Sequence, residues 1–88
     1  MEADIKPFDN PVKVELGPIG SHRMVKSTKE AAECLLTDWP LNRGPRHGEA
    51  LDACLKVLDG HRSTSDARDA FIEAAKESEI LAPDQDLH

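Results

Sequence analysis

The chain has 88 residues and a formal net charge of −6, a length that fits one domain. The acidic balance disfavours a general binder of nucleic-acid phosphates, and an aromatic content of 3% disfavours modules that stack bases on rings. The first ten residues contain no apolar run, and no apolar stretch elsewhere is long enough to cross a bilayer. These features predict a cytoplasmic domain without a signal peptide or membrane span.

The N-terminal third predicts an arm followed by a β-hairpin. Residues 1–11 contain two prolines and no periodicity, which predicts an extended arm with Phe8 against the body. The run VKVEL at residues 12–16 alternates apolar and charged side chains, as a half-buried strand does. A weaker strand around residues 22–26 follows a loop rich in Gly and Pro, so the two strands predict an antiparallel hairpin. Such a hairpin is marginal alone and needs a helical layer against it.

The first predicted helix begins at the sequence STKE. Ser27 and Glu30 have the spacing of a capping box, with Ser27 as the N-cap. Pro40 disfavours helical geometry at Trp39, so the helix should end there or one residue earlier. Its apolar residues predict one buried face, made of Ala31, Ala32, Leu35, Leu36 and Trp39.

The second predicted helix starts near Pro45, a favoured first helical residue, directly after Gly44. Gly60 is the expected stop, because glycine adopts the left-handed conformation that commonly ends helices. The predicted buried face consists of Ala50, Leu51, Cys54, Leu55 and Leu58.

The third predicted helix opens at the sequence STSD. Either Ser63, in a capping box with Asp66, or Ser65 is the expected N-cap. Beyond the helix, Ile80 and Leu81 should fold back onto the core, and residues 82–88 should form a disordered tail. The predicted buried face consists of Ala67, Ala70, Phe71, Ala74 and Ala75.

The predicted fold is therefore α+β, with an N-terminal antiparallel β-hairpin followed by three α-helices in the order β-β-α-α-α. A single globular domain should occupy residues 12–81. Four segments form a recognisable pattern and together span roughly residues 12–80: VKVELG, STKEAAECLLTDWP, GPRHGEALDACLKVLDG and SDARDAFIEAAKES. On these segments the chain resembles a small bacterial family, domain of unknown function 982. The resemblance implies a stand-alone bacterial cytoplasmic domain and supplies no activity or catalytic residues.

The residue types that carry chemistry do not form a recognisable catalytic or metal-binding pattern. Cys34 and Cys54 lie on apolar helix faces, where burial raises the pKa of a thiol and suppresses its nucleophilicity. The histidines and cysteines do not fall at zinc-ligand spacings, and no glycine-rich phosphate loop of a known form is present. We therefore expect a protein that is not an enzyme and that has no cofactor and no metal.

Two carboxylate pairs on the third helix also have a plain interpretation. Asp66/Asp69 and Glu73/Glu77 are spaced three and four residues apart, which places the members of each pair on one helix surface. They should form solvated faces and ion pairs with Arg68 and Lys76 rather than act as general acids.

The stretch DWPLNRGPRHGEA, residues 38–50, places cations where a helix begins. The first and third helices begin with a hydroxyl cap followed by an acid, whereas Arg46 and His47 lie in the first turn of the second helix, shortly after Arg43. A cation at the positive end of a helix dipole costs about 0.3–1 kcal/mol when exposed. The loop is therefore either simply solvated or a site for an anion or an acidic partner.

Trp39 has two readings. It either fills the core, with its indole N–H bonded to a loop carbonyl, or forms a partly exposed contact beside Arg43 and Arg46.

The leading functional hypothesis is a non-enzymatic protein-interaction or regulatory domain that binds a protein partner or a second copy of itself. The alternative is a binder of a small phosphate or carboxylate metabolite at the start of the second helix. A nucleic-acid binder is a third and disfavoured class, and no membrane partner is expected. The predicted contact residues for the anion or partner are Trp39, Arg43, Gly44, Arg46 and His47.

Overall fold

The computed structural model describes residues 6–16, 22–40 and 44–82. Two strands precede three helices in the described parts, which confirms the predicted α+β class and element order. No described helix is long and apolar enough to pass through a bilayer. The elements are β1 (Pro7–Glu15), β2 (His22–Ser27), α1 (Thr28–Thr37), α2 (Pro45–Leu58) and α3 (Thr64–Glu77).

The two strands form an antiparallel sheet whose regular register runs from Val12 opposite Val25 to Glu15 opposite His22. β1 begins at Pro7, five residues before the VKVEL pattern, so part of the segment expected as an arm lies in the sheet. Alternation could not show this extension, because the register is irregular between Pro7 and Val12. Phe8 is buried, as expected. The predicted loop at residues 17–21 lies outside the described residues.

The segment after α3 pairs with the other edge of β1. The Glu15 N–H donates to the Ile80 carbonyl at 2.7 Å, and the Ala82 N–H donates to the Lys13 carbonyl at 3.0 Å. A bridge between Val14 and Leu81 lies between these bonds. The predicted return of Ile80 and Leu81 to the core is therefore confirmed. Of the expected tail at residues 82–88, Ala82 is buried and residues 83–88 lie outside the described parts.

The predicted cap of α1 is present. The Ser27 hydroxyl accepts a hydrogen bond from the Glu30 N–H at 3.2 Å. In return, a Glu30 carboxylate oxygen accepts one from the Lys26 N–H at 2.8 Å, one residue before the position of the usual reciprocal box. α1 ends at Thr37 with Asp38 as its C-cap, close to the end predicted from Pro40.

The other helix boundaries also follow local sequence rules. α2 starts at Pro45 as predicted, and Gly60 adopts a φ of +86°, the left-handed geometry expected of a helix stop. At α3 the structure selects Ser63 over Ser65 as the N-cap, because the Ser63 hydroxyl accepts from the Asp66 N–H.

The core lies between the sheet and the three helices, and α2 and α3 share the most extensive helix–helix contact. Phe71 and Leu35 are its largest fully buried side chains. Two predicted core residues are wrong, because Leu36 is 62% exposed and Leu55 is 49% exposed. Each follows a fully buried residue, and a step of one residue rotates a side chain by about 100° around the helix. The faces that pack are therefore narrower than the apolar stripes.

The burial of Leu35 and the exposure of Leu36 predict different effects on stability for these two adjacent leucines. Leu35→Ala should lower the free energy of unfolding by about 2–5 kcal/mol, because it leaves a cavity in the core. Leu36→Ala, its matched control in the same helix, should change it by no more than about 0.5 kcal/mol. Urea denaturation of both variants measures the difference. Equal losses of stability would contradict the burial of Leu35 and the exposure of Leu36.

Candidate functional site

The region singled out by the sequence lies where α1 ends, α2 begins and α3 ends. We call this meeting point the helix junction. Four of the five predicted contact residues lie in it, whereas Arg43 lies outside the described residues. The helix junction comprises Leu35, Trp39, Gly44, Arg46, His47, Phe71, Glu77 and Ser78.

Trp39 fills the centre of the helix junction. Its side chain is 5% exposed, and its ring meets Phe71 edge-on with centroids 5.4 Å apart. The indole N–H donates to the Ser78 hydroxyl at 3.0 Å, so the acceptor is the C-cap residue of α3 and not the loop carbonyl that we expected. This burial supports the core interpretation and removes the Trp39 ring from the predicted contact surface.

His47 connects the start of α2 to the end of α1. Its Nε2 lies 2.7 Å from the Leu35 carbonyl oxygen, and because a carbonyl only accepts, Nε2 must carry the hydrogen. Leu35 lies in the last turn of α1, where carbonyls run out of helical N–H partners and the dipole is negative. His47 is thus misplaced for its own helix but well placed for α1. The ring also packs against Trp39, with centroids 5.8 Å apart.

Glu77 supplies the acid that α2 lacks at its own start. Gly44, the N-cap of α2, has no side chain to bond the free N–H groups. A Glu77 carboxylate oxygen accepts instead from the Arg46 N–H at 2.9 Å. The carboxylate lies so close to Gly44 that a Cβ added there would be 2.5 Å from the Glu77 Cδ. Local sequence could not predict this contact, because Glu77 is 31 residues from Arg46 and was expected to be solvated.

The Arg46 side chain is neutralised on the surface of α2. Its Nη1 donates to a Glu49 carboxylate oxygen at 2.7 Å, and this bond, followed by the Glu49 charge, raises the pKa of Arg46. Both side chains are more than half exposed, so the ion pair itself adds little stability. An anion that used the Arg46 N–H at the start of α2 would have to displace the Glu77 carboxylate. The geometry therefore counts against the metabolite-binding alternative.

The described residues offer little for catalysis. Cys34 and Cys54 are fully buried, and burial raises their thiol pKa values to about 11 and about 12. Neither thiol can therefore supply much thiolate near neutral pH. Within residues 6–16, 22–40 and 44–82, no group of three or more His, Cys, Asp or Glu side chains is arranged to hold a metal.

An open groove of about 240 Å³ lies along α3, and internal ion pairs occupy much of its lining. Arg62 lies 3.4 Å from Asp66 and Lys76 lies 3.9 Å from Glu73. The expected pairing of Arg68 with an acid is wrong, since its Nε donates to the Asn10 carbonyl at 2.9 Å. That bond ties α3 to β1. The residues lining the groove are Arg46, Glu49, Arg62, Asp66, Asp69, Ala70 and Glu73.

A β-hairpin backed by three helices, with their ends joined by internal polar contacts, defines a small α+β domain. The model of a family described as "Protein of unknown function (DUF982)" matches residues 10–82, and the chain belongs to this family. It is similar in structure to the Agrobacterium tumefaciens protein Atu1219, solved by NMR, with a TM-score of 0.74 and 26% sequence identity. The similarity covers 93% of this chain and 84% of that one. No curated protein matches the chain.

The helix junction predicts energetic coupling between Gly44 and Glu77. Gly44→Ala should force the Glu77 carboxylate away from the Arg46 N–H, and Glu77→Ala should remove the same bond. Each variant should therefore be less stable, whereas the double variant should be more stable than the sum of the two losses predicts, by about 1 kcal/mol. Urea denaturation of the four proteins gives this coupling energy.

Glu73→Ala is the matched control, because Glu73 lies one turn earlier in α3 and the three atoms nearest to a Cβ added at Gly44 all belong to Glu77. Its effect should add to that of Gly44→Ala. Additivity of Gly44→Ala with Glu77→Ala to within about 0.3 kcal/mol would contradict the capping role of Glu77.

Proposed function

We propose that the chain is a non-enzymatic protein-interaction domain of the bacterial cytoplasm, and that it binds its partner through exposed leucines on α1 and α2. The observation that carries the proposal is the exposure of Leu36 and Leu55, at 62% and 49%. Both continue apolar stripes beyond the faces that pack in the core. We call Leu36, Leu51 and Leu55 the leucine surface.

The charged loop is a weaker candidate for the contact, because its described side chains already have internal partners. Trp39 is buried, His47 is bonded to α1, and Arg46 is paired with Glu49. A partner would have to break these contacts before binding there. Leu36 and Leu55 have no comparable internal role, because their exposed surface contributes nothing to the core.

Helix geometry places Leu51 and Leu55 on one ridge of α2, which begins near the last turn of α1. Leu51 and Leu55 follow His47 at intervals of four residues, so the three form one ridge of α2. His47 touches the Leu35 carbonyl, and Leu36 is the next residue of α1. The ridge therefore begins beside the turn of α1 that carries Leu36. Leu51 is half-buried and packs against the core, which anchors the ridge.

The size of the leucine surface favours a transient contact. Complete burial of one leucine side chain is worth roughly 1.5–3 kcal/mol, and part of each side chain is already covered. Stable interfaces bury about 800 Å² on each partner, far more than two partly exposed leucines supply. A regulatory contact of modest affinity, with a protein that presents a small apolar patch, fits this surface better than a permanent dimer.

The proposal is tested by replacing the exposed leucines. Leu36→Gln with Leu55→Gln should keep the fold, because both side chains lie outside the core, and should abolish partner retention on resin carrying the purified domain. The matched control is Asp52→Asn with Lys56→Gln, which changes an exposed ion pair in the same turns of α2, about 100° around the helix from Leu51 and Leu55. Proteins from native lysate retained by the wild type and the control, but not by the leucine variant, would support the proposal.

Sedimentation of the same three proteins separates a foreign partner from self-association. If a second copy is the partner, the wild type and the control should sediment faster at high concentration than the leucine variant. If all three proteins retain the same lysate components and sediment alike, the leucine surface is not the contact.

A further inference from the structure

The geometry points to a second docking site, independent of the leucine surface: the free edge of β2 accepts an extended, acidic segment of a partner protein as an added strand. The hydrogen bonds of β1 show which backbone groups of β2 face away from it. In an antiparallel ladder, residues that bond to one neighbour alternate with residues that face the other way. Glu15 and Lys13 bond to the segment after α3. Val12 and Val14 therefore bond to β2, at Val25 and Arg23.

This alternation turns the backbone groups of His22, Met24 and Lys26 towards the free edge of β2. One hydrogen bond confirms the direction, since the Lys26 N–H donates to the Glu30 carboxylate at 2.8 Å. The backbone groups of His22 and Met24 have no such partner within the described parts of the chain. Glu30 thus closes one end of the edge and leaves His22–Met24 open to an incoming strand.

The side chains on the outer face of β2 indicate what the added strand should carry. Met24 is 44% exposed and offers apolar contact to a neighbouring side chain. Lys26 is exposed, and its ammonium has no carboxylate partner among residues 6–16, 22–40 and 44–82. An apolar residue beside Met24, with an acidic residue two positions away beside Lys26, matches this pattern.

The same side chains argue against a second copy of the chain as the occupant. If two β2 edges paired antiparallel about Met24, each Lys26 would face a His22 of the other copy and would gain no carboxylate partner. An exposed edge lysine is a common means by which proteins prevent such self-pairing. Strand addition by a foreign acidic segment would give Lys26 a carboxylate partner and would use the open backbone groups, as β-augmentation does.

A capped peptide of sequence Thr-Glu-Thr-Val-Thr-Glu-Thr is the probe, because pairing of its valine with Met24 places a glutamate beside Lys26. Titration followed by NMR should shift the amides of His22 and Met24 and slow hydrogen exchange at Met24. A peptide with lysine in place of both glutamates should bind at least tenfold more weakly. Absence of a saturable shift, equal binding of the two peptides, or shifts confined to Leu36 and Leu55 would overturn the proposal.

Met24→Pro isolates the backbone contribution. Proline removes the N–H that faces the free edge, which edge strands tolerate, and leaves the bonds to β1 intact. Met24→Pro should abolish peptide binding, whereas Met24→Ala, which keeps the N–H, should weaken it by less than tenfold. Equal binding by the two variants would overturn the proposal. If Met24→Pro does not fold, N-methylation of the peptide valine replaces it, and undiminished binding of that peptide would overturn the proposal instead.

Discussion

The start of α2 is the constraint on which the packing of the three helices depends. It has no side-chain cap and no acid in its first turn, so the N–H groups there need partners from elsewhere. The Glu77 carboxylate at the end of α3 accepts from one of them, the Arg46 N–H. The His47 side chain, in the first turn of α2, bonds the Leu35 carbonyl at the end of α1. Each of these side chains is unfavourable for its own helix and favourable for its neighbour. The exchange fixes three helix ends around Trp39.

The parts of the fold that depend on local chemistry could be predicted from the sequence. The Ser27 cap, the start at Pro45 and the stop at Gly60 each follow from residues within one turn of the boundary. The strand at residues 12–16 follows from alternation in the same way. The extension of β1 back to Pro7 could not be predicted, because an irregular register erases the alternation on which a strand prediction depends.

The location of the candidate site could be predicted from the sequence, but the contacts that form it could not. The sequence showed that Arg46 and His47 violate the electrostatics of α2, and the violation does mark the helix junction. Their partners could not be predicted, because Leu35 and Glu77 are distant in sequence and are brought near only by helix packing. Leu36 and Leu55 were misassigned for a related reason: an apolar stripe does not reveal how wide the neighbouring surface is. The described charges that suggested an external ligand, Arg46 and His47, make contacts within the domain, and the contact surfaces that we propose lie elsewhere.

The most direct test of the helix junction is the tautomer of His47, read from the two-bond and three-bond ¹H–¹⁵N correlations of its ring. Because Nε2 faces the Leu35 carbonyl, the neutral ring should be the Nε2–H tautomer, with Nδ1 lacking a hydrogen. The Leu35→Ala variant retains the backbone carbonyl at position 35, so His47 should keep this tautomer in a folded variant. A neutral His47 ring with its hydrogen on Nδ1 would contradict the bond between α1 and α2, and with it the account of how the three helix ends are joined.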